Sequence, residues 1–114
     1  MTGRKGFYVN EELLKKLNFV VFGENQWRLT TAFDGNGVLS VFYDAHGQSV
    51  AEAQKTIRNI VNLVRIPFKL TIIHGFNHGT AIKRMLDIET FNGKVSIKYR
   101  PHNNSGVTVL RIIA

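Results

Sequence analysis

Between Val38 and Ile73 the chain reads as strand, helix and strand joined by connections of only a few residues, and this spacing constrains the fold most. Val38 to Tyr43 is an apolar, β-branched and aromatic run. Ser49 with Glu52 three residues on forms a capping box. Val50, Ala53, Ile57, Ile60, Val61 and Val64 then keep one apolar helical face until Pro67 forbids continuation. Phe68 to Ile73 is a second apolar run. A strand–helix–strand unit with so short a connection is a right-handed crossover between parallel strands. Parallel strands end on the same edge of a sheet, and open α/β sheets place their ligands just beyond those ends.

The flanking segments extend this unit on both sides. Thr80 can cap a helix that buries Ile82, Met85 and Leu86, and Asn92-Gly93 marks a turn. Val95, Ile97 and Tyr99 alternate with Ser96, Lys98 and Arg100, as on a half-buried strand. His102-Asn103-Asn104-Ser105-Gly106 is a further turn before a strand from Val107 to Ile113. Upstream, Trp27, Leu29, Thr31 and Phe33 share one face of a strand. The turn Asp34-Gly35-Asn36-Gly37 folds that strand back against residues 38–43 as a hairpin. Asn10 can cap a short helix with Glu11 and Glu12 in its first turn, Lys15 and Lys16 in its last, and Leu13, Leu14 and Leu17 as its stripe. The expected fold is an α/β (α+β) two-layer sandwich. Its βαβαββ order carries a mixed four-stranded sheet, with an N-terminal helix and an extra antiparallel edge strand. Residues 1–37 form an extension and residues 38–114 the main domain.

Composition narrows the function classes. The 114 residues contain no cysteine, which excludes disulfides, thiolate zinc sites, iron–sulfur clusters and cysteine nucleophiles. No run of 18 apolar residues occurs, and the basic start Arg4-Lys5 precedes no apolar stretch of signal length, so a cytoplasmic protein without a membrane partner is expected. Charge is divided unevenly. Residues 1–54 carry five basic and six acidic side chains, whereas residues 55–114 carry ten basic ones against only Asp87 and Glu89. A half-chain at +8 points to a polyanion, because neutralising phosphates releases condensed counterions. DNA, RNA or a ribosomal surface fits that charge.

The expected strand ends collect the chemistry. The first ends in Tyr43-Asp44-Ala45-His46-Gly47 and the second in Ile73-His74-Gly75-Phe76-Asn77-His78-Gly79. Three of the four histidines and one carboxylate converge there from distant segments. A histidine beside an aspartate is held in one tautomer and made a better base, and it titrates nearest neutral pH. Gly75 and Gly79 let the backbone approach a ligand, and exposed N–H groups at the next helix start suit a phosphate oxygen. Lys83 and Arg84 lie in the first turns of that helix. Each feature also has a plainer structural meaning. Asp44 and His46 can close a turn, His74 can be a hydrogen-bonded turn residue, and the glycines can serve only backbone conformation. A metal cluster of Asp44, His46, His74 and His78 is chemically possible but lacks any tight ligand spacing such as HExxH, so no cofactor is expected and a divalent metal stays an alternative that the spacing does not support. Trp27, Phe33, Phe42 and Phe68 read as core residues, and Phe76, between two glycines, does not.

Asp44-Ala45-His46-Gly47 followed by Ser49-Val50-Ala51-Glu52-Ala53, then Ile72-Ile73-His74-Gly75, then Gly106-Val107-Thr108-Val109, resembles the small MutS-related (Smr) domain. In that family the first strand carries a Leu-Asp-x-His motif followed by Gly. The second carries His-Gly-x-Gly or Thr-Gly-x-Gly, and a Gly-rich turn leads into the last strand. The resemblance covers roughly residues 40–112 and implies a βαβαββ sandwich like the C-terminal domain of a bacterial translation initiation factor. It also implies nicking of DNA or cleavage of RNA, with Asp44, His46 and His74 as catalytic residues. Gly47, Gly75, Phe76, Asn77, His78, Gly79, Lys83 and Arg84 would bind the nucleic acid. Tyr43 stands where Leu is usual, and Asn77 stands where the second motif has its other Gly. Two functions follow: a small endonuclease, or a non-catalytic nucleic-acid or ribosome-binding module of the same fold. An interaction domain that ignores nucleic acid is the third class.

Overall fold

Alternating burial along two strands builds the centre of the molecule. In the computed structural model, which describes residues 27–75, 80–102 and 104–113, β2 (Leu39–Asp44) buries Leu39, Val41 and Tyr43. The next strand, β3 (Phe68–Ile73), buries Phe68, Leu70 and Ile72. Residues one apart on a strand point to opposite faces, so these six side chains form one apolar surface. The helix α1 (Val50–Leu63) covers it with Ala53, Ile57, Ile60 and Val61, spaced three and four apart on one helical face. A second helix, α2 (Thr80–Ile88), adds Ile82 and Leu86 to the same core.

The helix boundaries have local causes. Ser49 Oγ accepts from the Glu52 N–H at 3.1 Å, and the Glu52 carboxylate accepts from the Ser49 N–H at 3.3 Å, so two otherwise orphaned donors are satisfied together. At the other end Val64 still donates to the Ile60 carbonyl at 3.0 Å, and Pro67 three residues later has no N–H to offer.

Three further strands complete a five-stranded mixed sheet: β1 (Leu29–Phe33), β4 (Val95–Tyr99) and β5 (Val107–Ile112), in the order β1-β2-β3-β5-β4. β2 and β3 run parallel, with Asp44 beside Ile73, and every other pair is antiparallel. The molecule is thus a small α+β domain with the strand ends of β2 and β3 on one edge. Among the described residues, no helix is long and apolar enough to cross a membrane. The helix expected over residues 10–17 lies outside the described residues.

Two expectations are corrected. The alternation over residues 95–100 does not persist, because a bulge between Val95 and Ile97 shifts the phase of β4. Val95 pairs with Ile112, but Lys98 then sits opposite Leu110, and Ile97 and Tyr99 turn outward and are exposed. Lys98 uses its new face: Nζ donates to the carbonyls of Leu86 at 2.6 Å and Glu89 at 2.9 Å, satisfying the C-terminal end of α2. The second correction concerns the aromatic residues. Phe68 is core, but Phe42 faces out from β2 and is 37% exposed, and Trp27 is 55% exposed. Trp27 and Arg28 form a 3₁₀ turn, so the strand starts only at Leu29 and its periodicity does not reach the tryptophan.

Candidate functional site

The end of β2 is shaped by one carboxylate. Asp44 Oδ1 accepts from the backbone N–H of His46 at 3.1 Å, closing an Asx turn, and contacts His46 Nδ1 at 2.5 Å. An ionised carboxylate only accepts, so the neutral ring carries its proton on Nδ1 and its lone pair on Nε2. The His46 side chain is 60% exposed and that of Asp44 25%. The arrangement therefore fixes an imidazole at the surface with a basic nitrogen directed away from its partner. Asp44 does close a turn, as the plainer reading held, but Ser49 and Glu52 cap α1 without it.

Neighbouring residues hold this turn in place. Buried Ala45 donates its N–H to the Ile73 carbonyl at 2.8 Å, which ties the turn to β3, and accepts from Gln48 at 3.1 Å. Gly47 sits at φ +82°, in the left-handed region that favours glycine. The buried Tyr43 hydroxyl donates to Gln48 Oε1 beneath it.

The end of β3 is pinned from the opposite side. Gly106 offers its carbonyl to the N–H groups of both His74, at 2.9 Å, and Gly75, at 3.0 Å, while its own N–H donates to Asn104 Oδ1 at 3.1 Å. Three turns thus meet: residues 44–47, 74–75 and 104–106. Gly75 takes φ +85°, and a methyl group there would stand 3.9 Å from His46 Cβ, so the two motifs are in contact. There is room for that methyl; it is the left-handed backbone that demands glycine.

His74 differs from His46. It is 2% exposed, and both ring nitrogens are engaged. Nδ1 lies 3.1 Å from the Gly75 carbonyl and Nε2 lies 2.9 Å from the Thr108 hydroxyl. A carbonyl only accepts, so Nδ1 carries the proton and Nε2 accepts from Thr108. Burial pushes the imidazole below its ordinary value, with the Arg100 and Lys83 charges adding to the effect and the Gly75 carbonyl opposing it. Buried, with both ring nitrogens engaged, His74 ties β3 to Thr108 on β5.

Lys83 and Arg84 lie in the first turns of α2, Lys83 half-buried and Arg84 exposed. Phe76, Asn77, His78 and Gly79 lie outside the described residues. The acidic groups of the basic half are already occupied: Asp87 pairs with Arg100 at 2.6 Å and Glu89 with Arg58 at 3.2 Å. Among the described residues, Lys55, Arg65, Lys69, Lys83, Arg84, Lys94 and Arg111 have no acidic partner within ion-pair distance. Among them too, no three His, Asp or Glu side chains gather into a group that could hold a metal.

Two residues enter the site that the motifs do not include. Arg28 Nη1 donates to the carbonyls of Asp44 at 3.0 Å and His46 at 2.8 Å, and the guanidinium lies 4.6 Å from the Trp27 ring centroid. The Trp27 ring is 5.9 Å from that of His46, tilted by 60°. Their signal lay in the hairpin: if residues 29–33 pair antiparallel with 39–43, position 28 falls opposite Asp44. The geometry defines a class, a small α+β domain with an exposed Asp–His pair at the shared end of two parallel strands. No protein-family model, curated protein or solved structure matches the chain.

Proposed function

We propose that this domain binds nucleic acid and cleaves its phosphodiester backbone, as a small endonuclease of the Smr type. The observation that carries the reading is the His46 ring, exposed at the strand ends with Nδ1 held by Asp44 at 2.5 Å and Nε2 left basic. Two features support it. The elements from Leu39 to Ile112 run strand, helix, strand, helix, strand, strand, which suits a βαβαββ sandwich formed by residues 38–114, with residues 1–37 as an extension. Among the described residues the basic half keeps eight cations without acidic partners, seven of them besides Lys98, which caps α2, enough for a polyphosphate backbone.

In this reading the Nε2 lone pair takes a proton from the attacking hydroxyl, which is water on DNA or the 2′-hydroxyl on RNA. The new P–O bond forms, the bond to the leaving oxygen breaks, and that oxygen takes its proton from solvent. Asp44 steadies the imidazolium that results. Lys83 and Arg84 offset phosphate charge beside Gly75, and His74 positions the Gly75 turn. One observation favours a second reading, a non-catalytic nucleic-acid or ribosome-binding module. His74 is buried with both ring nitrogens engaged, so it is not placed to serve as general acid.

The test is incubation of the parent protein and His46→Ala with single- and double-stranded DNA and RNA, with and without chelator. A general base contributes about 10²–10⁴-fold, so His46→Ala is expected to cut cleavage by at least about a hundredfold. Its affinity should change by less than about tenfold. Equal cleavage by both proteins refutes the catalytic reading, and tight binding without cleavage establishes the second.

A further inference from the structure

Trp27 is the only tryptophan of the chain, and it is spent on the surface beside His46. Burial is where a large apolar side chain stabilises a fold most, and a half-exposed ring forgoes much of that gain. The ring is nonetheless held in place. The Arg28 guanidinium lies over it at 4.6 Å, and the same guanidinium bonds the carbonyls of Asp44 and His46, so the aromatic plane and the imidazole are referenced to one turn. An exposed aromatic ring held against Arg28 and beside the Asp–His pair has the makings of a stacking surface, because every nucleobase presents a π-face.

We propose that Trp27 is a stacking platform for one unpaired nucleobase, and that the site accordingly takes single-stranded nucleic acid; this rests on the nucleic-acid reading above. The 5.9 Å between the Trp27 and His46 rings lets a single nucleotide place its base on the tryptophan and its flanking phosphate at His46. Paired bases already stack on one another, so a duplex must first unpair before a base can reach the ring. Arg28 acts here as a positioning residue. The excess of +8 over residues 55–114 argues for a polyanionic strand over an uncharged aromatic ligand or an apolar protein surface.

A lone tryptophan makes its own fluorescence the readout. The parent protein is mixed in a stopped-flow instrument with an oligothymidine single strand, with a duplex of equal length, and with heparin as a polyanion without bases. The oligothymidine is expected to quench Trp27 within the mixing phase, and the duplex and heparin to leave it nearly unchanged. Base–aromatic stacking is worth about 1–3 kcal/mol per base, so Trp27→Ala should weaken single-strand affinity by about 5–150-fold. Duplex affinity should stay within about twofold, and Trp27→Phe should restore most of the single-strand affinity. Melting curves of both variants show whether either has lost its fold. Binding without quenching, unchanged single-strand affinity in Trp27→Ala, or equal quenching by heparin overturns the platform and leaves the nucleic-acid reading standing. Failure to bind any polynucleotide at low salt overturns both.

Discussion

Replacing Thr108 by Val tests whether His74 is a structural pin. Valine keeps the β-branched shape on β5 and deletes only the hydroxyl that donates to His74 Nε2 at 2.9 Å. Both residues are 2% exposed, so no water replaces the lost donor, and Nε2 becomes a buried unsatisfied acceptor. That costs about 1–3 kcal/mol. The new methyl returns up to about 0.8 kcal/mol through burial. A net loss of about 1–2 kcal/mol should lower the melting temperature by roughly 4–15 °C for a domain of this size. A double-mutant cycle isolates the bond. In a His74→Leu background there is no acceptor to orphan, so Thr108→Val should be nearly neutral and the coupling about 1–2 kcal/mol. Urea unfolding of the four proteins at pH 7.5 and fixed salt gives these differences directly, provided the m-values agree. Coupling below about 0.3 kcal/mol, or a Thr108→Val protein as stable as the parent, refutes the assignment of tautomer and role.

Because burial lowers the His74 pKa, the unfolded chain binds this proton more readily than the folded one. The resulting stability is complete above about pH 6.5 and is lost as pH falls from there toward the lowered folded value, by about 1.4 kcal/mol per pH unit within that window. Urea midpoints measured from pH 8 to pH 5 should fall accordingly, and a His74→Gln variant should lose that component; a slope unchanged by the substitution contradicts it. Replacing Lys83 and Arg84 together should flatten the salt dependence of duplex-DNA affinity by up to about two phosphate contacts, each about 0.9 in the log–log slope. Lys98→Met should remove both bonds to the end of α2 and cost about 1–2 kcal/mol, read as a lower urea midpoint with an unchanged m-value.

What the sequence disclosed and what it hid follow from range. The boundaries of α1 were legible because Ser49, Glu52 and Pro67 act within one turn of the helix. The parallel pairing of β2 with β3 followed from the short connection between them, and with it the convergence of Asp44, His46 and Gly75. The phase of β4 was not legible, because an unbulged alternation of Val95, Ile97 and Tyr99 is locally as good as the bulged one. Only the carbonyls of Leu86 and Glu89, waiting for Lys98, distinguish them. His74 was readable as a member of the site but not as its buried member, since Thr108 lies 34 residues away. Trp27 was misjudged for a related reason: strand periodicity extrapolates through residue 27, whereas the backbone there turns.

The position of β5 between β3 and β4 has a consequence for how the chain is made. β3 meets β2 as soon as α1 has folded back, but its other edge has no partner until residues 107–112 arrive. A nascent chain halted anywhere between Ile73 and Val107 therefore presents a row of unpaired amides and carbonyls along Phe68–Ile73, flanked by apolar side chains. It also lacks the Gly106 carbonyl that fixes His74 and Gly75. Non-local pairing of this kind is slow to form, because loop closure must precede the contacts that reward it. The half-made protein is thus sticky along the edge of β3 that faces away from β2, and completion of β5 ends that hazard and delivers the Gly106 carbonyl to His74 and Gly75 in the same event.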